Sequence, residues 1–195
     1  MNYMLKYSLA CVVLVLALAS CRKEPNYPDE PQISFKRIEQ VSHDALGIEK
    51  DSLFLIVKFQ DGDGNLGLRP LVKNPQTDID SQTPFNEGSI YENNFIIKVL
   101  RARPDVNNPG ELNFEELQFP DGLNLNGRFP RISNDDREEP LEGEIRLALE
   151  ITNENEFYYA VGDIIKFEVF IYDRTTPVPN KSNVIVSEPI TLFTE

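Results

Sequence analysis

The run Asp61-Gly62-Asp63-Gly64-Asn65 places three side-chain oxygen donors at alternate positions, with Gly between them where the backbone must fold back on itself. Alternating oxygen donors on a tight loop suit a hard cation such as calcium. The loop is not an EF-hand: its sixth position is Leu66 where Gly is needed, and its twelfth is Val72 where a bidentate Glu belongs. A cation bound here must therefore recruit a distant ligand. Asp173, in Tyr172-Asp173-Arg174, is the expected one because it ends one apolar strand as Asp61 ends another; Asp78 and Asp80 are weaker candidates. The same residues also spell a turn. Gly accepts positive φ and Asp bonds its own backbone, so a strand followed by this sequence needs no metal. Calcium site and plain turn both stand as readings of Asp61, Asp63, Asn65 and Asp173.

Few other residues offer chemistry. The single His, His43, has no evident nucleophile or orienting partner and reads as an exposed loop residue. Tyr158 and Tyr159, with Phe157 beside them, would serve as an aromatic platform for sugars or else pack on the sheet, and the absence of Trp weakens the sugar reading. Asp135, Asp136, Glu138 and Glu139 surround Arg137 in an acidic cluster that reads as a solvated loop. Acids are abundant enough to leave a paired-carboxylate hydrolase open, but nothing marks an acid/base pair, and no enzyme activity is expected. With 32 acidic against 19 basic side chains and a net charge of −13, nucleic acid is excluded as a partner, because affinity for it comes from Lys and Arg neutralising phosphates.

The start of the chain is of another character. Lys6 precedes a short apolar run, Leu9 to Ala19, too short for a transmembrane helix of about 20 apolar residues and followed by strongly polar sequence. The run ends in Leu18-Ala19-Ser20-Cys21, which resembles the lipobox of bacterial lipoproteins, in which the Cys sulfur takes a diacylglycerol before cleavage. Residues 1–20 are thus expected to be a cleaved signal peptide and Cys21 the acylated, palmitate-bearing anchor. Cys11 and both Met residues, Met1 and Met4, would leave with the signal, so disulfides and Cys-based catalysis are excluded from the mature chain. Arg22 is not the Asp that retains lipoproteins in the inner membrane of well-studied Gram-negative bacteria, so an outer-membrane address is expected. Lys23-Glu24 resembles, incompletely, a surface-export signal of Bacteroidota lipoproteins and favours the cell surface over the periplasmic face.

Residues 21–31, polar and carrying three Pro, read as an extended tether holding the domain about 25 to 30 Å from the lipid at ~3.1 Å per residue. The domain itself is expected over 32–195. Apolar residues alternate along Ile145 to Ile151 and Ile165 to Ile171, the mark of half-buried strands. Leu53 to Phe59 is nearly continuous apolar, as suits a central strand covered on both faces. Ile33 to Val41, Phe95 to Arg103 and Val184 to Leu192, with Pro189 at a bulge or edge, add further strands. A weaker one lies within Leu112 to Phe119, with a further candidate at Phe129 to Ile132. The expectation is an all-β, antiparallel, immunoglobulin-like β-sandwich of about seven strands, with long loops at 68–92 and 104–141 that are functional or disordered.

Phe59 to Gly67, Gly162 to Phe167, Tyr172-Asp173-Arg174 and Lys181-Ser182-Asn183 together resemble a group of Bacteroidota lipoproteins whose immunoglobulin-like domain bears a DGDG loop; the similarity spans most of residues 31–194. The order of parts is also similar to cadherin-like domains, where acids after equivalent strands bind calcium, but the C-terminus here lacks an acidic linker of that kind. The resemblance implies fold and location and adds little about activity. The expected role is a membrane-anchored, non-catalytic binding or assembly module of the envelope, with an envelope protein or glycan as partner and calcium as its candidate cofactor. A sugar-binding accessory of a surface glycan-uptake system is the alternative.

Overall fold

Alternation of apolar and polar residues resolves into eight strands among the described residues of the computed structural model, which are 25–45, 47–72, 78–120, 123–133, 137–154 and 158–194. The signal segment, Cys21, Lys23-Glu24, Asp135, Asp136 and Phe157 lie outside them. The strands are β1 (Gln32–Ala45), β2 (Ile48–Asp61), β3 (Phe95–Pro104), β4 (Leu112–Glu116), β5 (Leu141–Thr152), β6 (Ile164–Ile171), β7 (Ile185–Val186) and β8 (Ile190–Thr191). All pairings are antiparallel. One sheet runs β1-β2-β5 and the other β4-β3-β6-β7, with β8 continuing along β6 beyond Pro189. That order, with first, second and fifth strands facing fourth, third, sixth and last, is the Greek-key arrangement of an immunoglobulin-like sandwich.

The core follows from the period-two pattern. Leu53, Leu55, Val57 and Phe59 of β2 face Val99 and Ile97 of β3 and Ile165, Phe167, Val169 and Ile171 of β6 across the sandwich. The outward face of β2 is covered too. Ile56 is buried, and the Arg146 guanidinium lies 4.0 Å over the Phe54 ring, so a long charged side chain does the covering. At β1, the outer strand of its sheet, the register shifts between Phe35 and Arg37. This bulge, with Lys36 and Arg37 paired to Glu144 and Glu39, blunts an edge that would otherwise invite another strand.

Two polar residues clamp the sheets together. Asn183 holds both backbone groups of Ile33, at 2.8 and 2.9 Å, and so ties β1 to the strand region before β7. At the opposite end Asp51 is fully buried and accepts from Gln40, Ser42 and the Phe193 amide, fastening the last residues to the first sheet.

Both long loops are ordered where described. Residues 117–120 and 123–129 lie along the rest of β3: Leu117 bonds Val99, and Phe95 and Gly127 exchange two backbone bonds. Phe129 to Ile132 forms no strand; it crosses to the end of β2, where Leu68 bonds Phe129 and Ile132 bonds Leu66. The 68–92 loop has its own small scaffold. Asp78 caps a 3₁₀ turn at Ile79–Ser81, and Arg128 donates to the carbonyls of Arg69, Asp80, Phe85 and Glu92. The 68–92 loop and residues 127–132 thereby gather at the end of the sandwich where β2 finishes.

Candidate cation site at the strand ends

Asp61 closes β2 and Asp173 follows β6, and an antiparallel bridge between Leu66 and Asp173 brings the two strand ends together. Arg174 donates its amide to the Asn65 carbonyl at 3.1 Å and its guanidinium to the carbonyls of Leu66 and Gly67. The four expected residues therefore share one end of the molecule. Their carboxylates do different things.

Asp173 is buried and its oxygens are taken: the amides of Thr175 and Asn180 donate at 2.9 and 2.7 Å, and the Thr175 hydroxyl and Asn180 side-chain amide at 2.8 and 2.9 Å. It organises the turn after β6. Asn65 reaches across to that turn, its amide lying 2.7 Å from Asp63 and 3.2 Å from the Thr175 hydroxyl. Asp61 is different. It is fully buried, and neither carboxylate oxygen has a hydrogen-bond partner among the described residues. Burial first, then the neighbouring charges of Asp63 and Asp173, push its carboxyl from 3.8 up to about 7. Asp63 is raised as well, by burial and by the charges of Asp173 and Asp29. A buried carboxylate with no donor is costly unless something neutralises it, and a cation or a proton would do so.

The two glycines earn their places by close approach. A Cβ on Gly62 would stand 2.5 Å from the Tyr27 carbonyl oxygen and 2.7 Å from that of Pro28; on Gly64, held at φ +70°, it would stand 2.5 Å from the Glu139 carbonyl oxygen. Backbone oxygens thus crowd the loop from two sides. No group of three or more His, Cys, Asp or Glu side chains with metal-holding geometry occurs among the described residues. A calcium ion fits only as a mixed site, with Asp61 and Asp63 supplying charge and carbonyls or the Asn65 amide oxygen supplying the rest, which its preference for six to eight oxygens permits.

The weaker candidates have other work. Asp80 is buried against Arg131, which grips it at 2.7 and 2.6 Å, and it also accepts from the Arg69 amide at 2.8 Å. Burial pushes its carboxyl up, but these donors outweigh burial and hold it below 3.8. Asp78 caps the 3₁₀ turn and pairs with Arg69 at 3.3 Å.

Tyr159 is 8% exposed and belongs to the core, and Tyr158 is half-buried beside it. Phe119 packs on both rings, with centroids 5.8 and 6.2 Å away, and the three line one side of a cleft of about 390 Å³ with Leu123 and Leu125. Glu138 and Glu139 are exposed; His43 is exposed too, but it lies on β1 opposite Lys50 and not in a loop.

Sequence analysis missed the part played by the tether. Pro28 accepts from the Gly62 amide at 2.8 Å, and the Tyr27 hydroxyl donates to Glu142 at 2.6 Å. It also missed a cleft of about 290 Å³ beside the DGDGN loop, lined by four arginines. No protein-family model, curated protein or solved structure matches the chain.

Proposed function

We propose that this chain is a lipoprotein anchored to the outer membrane through acylated Cys21, and that its sandwich is a non-catalytic binding or assembly module stabilised by calcium at the DGDGN end. The observation that carries the reading is the junction of the two parts. The segment following the Leu18-Ala19-Ser20-Cys21 run docks, through Tyr27 and Pro28, on the very loop that holds the unpartnered Asp61 carboxylate. Anchor and cation loop meet at one end, and the cation's role is to offset repulsion between Asp61 and Asp63 and fix two strand ends. Among the described residues no helix is long and apolar enough to cross a membrane. The alternative, a sugar-binding accessory presenting Tyr158 and Tyr159, loses support from the packing of Phe119 on both rings.

The test has two arms. Replacing Cys21→Ser should abolish incorporation of labelled palmitate and release the protein from the membrane fraction; an unchanged distribution would refute the anchor. Calcium at about 100 times its dissociation constant should stabilise the wild type by about 2.7 kcal/mol, a rise of roughly 5 to 10 °C in melting midpoint for a chain of this size. An identical midpoint in EDTA would refute the cation.

A further inference from the structure

We propose that the open edge of β5 pairs antiparallel with the β5 of a second copy of this chain, joining two three-stranded sheets into one of six strands. β5 ends its sheet: among the described residues it is bonded to β2 and to no other strand. The Asn153 amide donates to the Glu49 carbonyl on the β2 side, and backbone groups alternate in direction along a strand, so those of Glu142, Glu144, Arg146, Ala148 and Glu150 point away from β2. None of these backbone groups has a partner among the described residues. The other edges are blunted or short. β1 carries its bulge with Lys36 and Arg37, β4 has five residues, and β7 and β8 have two each. β5 runs twelve residues without Pro, Lys or a register shift, the form in which an edge templates another strand.

Apolar side chains along this edge are incompletely covered as well. Leu53 and Leu55 of β2 are fully buried, whereas Leu149 and Leu147, opposite them on β5, are only half-buried. Leu123, 59% exposed, and Leu125 share a cleft with Glu150, Ile151 and Thr152 at the end of the strand. An identical strand fits this edge. A two-fold axis at Ala148 sets Leu147 opposite Leu149 and Ile145 opposite Ile151 on the inner face, and Arg146 opposite Glu150 on the outer. An axis at Leu147 would oppose Glu144 to Glu150, and one at Arg146 would oppose two arginines. One at Ile145 would reach Pro140, which has no amide, and Glu142, where Tyr27 docks. Within the chain Arg146 and Glu150 are already paired with Glu39 and Lys50, and their side chains remain 55% and 60% exposed. They therefore choose the register, while the backbone groups and leucines make the attachment. Ala148, small and exposed, keeps the axis free of bulk.

This assignment rests on the reading of the chain as an assembly module and names its partner. The two DGDGN ends point in opposite directions in such a pair, and under the proposed anchoring a pair whose strands lie along the bilayer lets both tethers reach it. The full chain, purified in density-matched detergent, is measured by sedimentation equilibrium. Its protein mass should pass from one chain toward two across about 1 to 100 μM, as suits a small, transient interface. Ala148→Pro removes an amide of the open edge and none bonded to β2, so it should keep the fold and need at least about tenfold more protein to pair. Ala148→Lys, at an exposed side chain, should weaken pairing as much without touching the backbone. Whatever the detergent micelle holds together is common to all three proteins. Ala148→Cys should oxidise to a covalent dimer, because the Cα atoms of a hydrogen-bonded antiparallel pair lie about 5.5 Å apart, and Glu144→Cys should not. A wild type still monomeric at about 100 μM, a mass that neither substitution lowers, or equal cross-linking at positions 144 and 148 would each overturn the pairing. An intact calcium shift and membrane anchor alongside any of these would show that the partner, and not the module, was misassigned.

Discussion

At the scale of single residues, the molecule separates two buried aspartates that look alike in sequence. Asp173 has four donors, and Asp61 has none among the described residues. The spacing of DGDGN announced an oxygen-rich loop, and the Asp173 position was legible because both aspartates follow apolar runs. Its satisfaction was not, since the donors come from Thr175 and Asn180 in an irregular turn with no periodic signal. Asp61→Asn separates cation from proton at this position. In EDTA the variant should melt at or above the wild type, because like-charge repulsion and burial of a charge are relieved; in calcium it should melt below it, having lost a ligand. A variant whose midpoint rises with calcium as much as the wild type's would remove Asp61 from the site. Asp80 gives a pH test of the opposite sign. Its folded value lies below 3.8, so it contributes stability above that pH and loses it as pH falls through the lower folded value. Urea unfolding across the acid range should show a shallower decline for Asp80→Asn than for the wild type, from a lower plateau at neutral pH.

At the scale of elements, strands were readable and loops were not, for one physical reason. A strand half-buried in a sandwich repeats its environment every two residues, and Ile165, Phe167, Val169 and Ile171 record that repeat directly. Pro189 likewise interrupts the last strand as its missing amide requires, leaving β7 and β8 on either side. The order in the 68–92 loop comes instead from Arg128, distant in sequence, whose planar fork meets four carbonyls at once. Composition gives no hint of that. Arg128→Lys keeps the charge and loses the fork, so limited proteolysis should cut within 68–92 many times faster than in the wild type while the strands stay protected. Unchanged cleavage would mean that Asp78 and Asp80 hold the loop unaided.

At the scale of the whole molecule, the end on which residues 27–28 dock is also the end that carries the DGDGN loop and the arginine cleft. Gly62 is the contact point: any side chain there would meet the carbonyls of Tyr27 and Pro28. Gly62→Ala should therefore undock residues 27–28 from the domain. Hydrogen exchange should report it as faster exchange at the position-62 amide with the core of β6 unaltered, and an unchanged rate there would show that the docking tolerates a methyl group. The contacts of Tyr27 and Pro28 were not legible in the Pro content of residues 21–31, which signals extension but is silent on whether an extended segment has a surface to lie against.

Under the proposed anchoring at Cys21, that docking also sets how close the molecule would stay to its membrane. With Cys21 acylated, only residues 22–26 separate the lipid from the contacts of Tyr27, a reach of at most about 20 to 22 Å for six steps at ~3.3 to 3.6 Å per residue. A chain so anchored would hang by the same end of the sandwich that carries the DGDGN loop and the arginine-lined cleft.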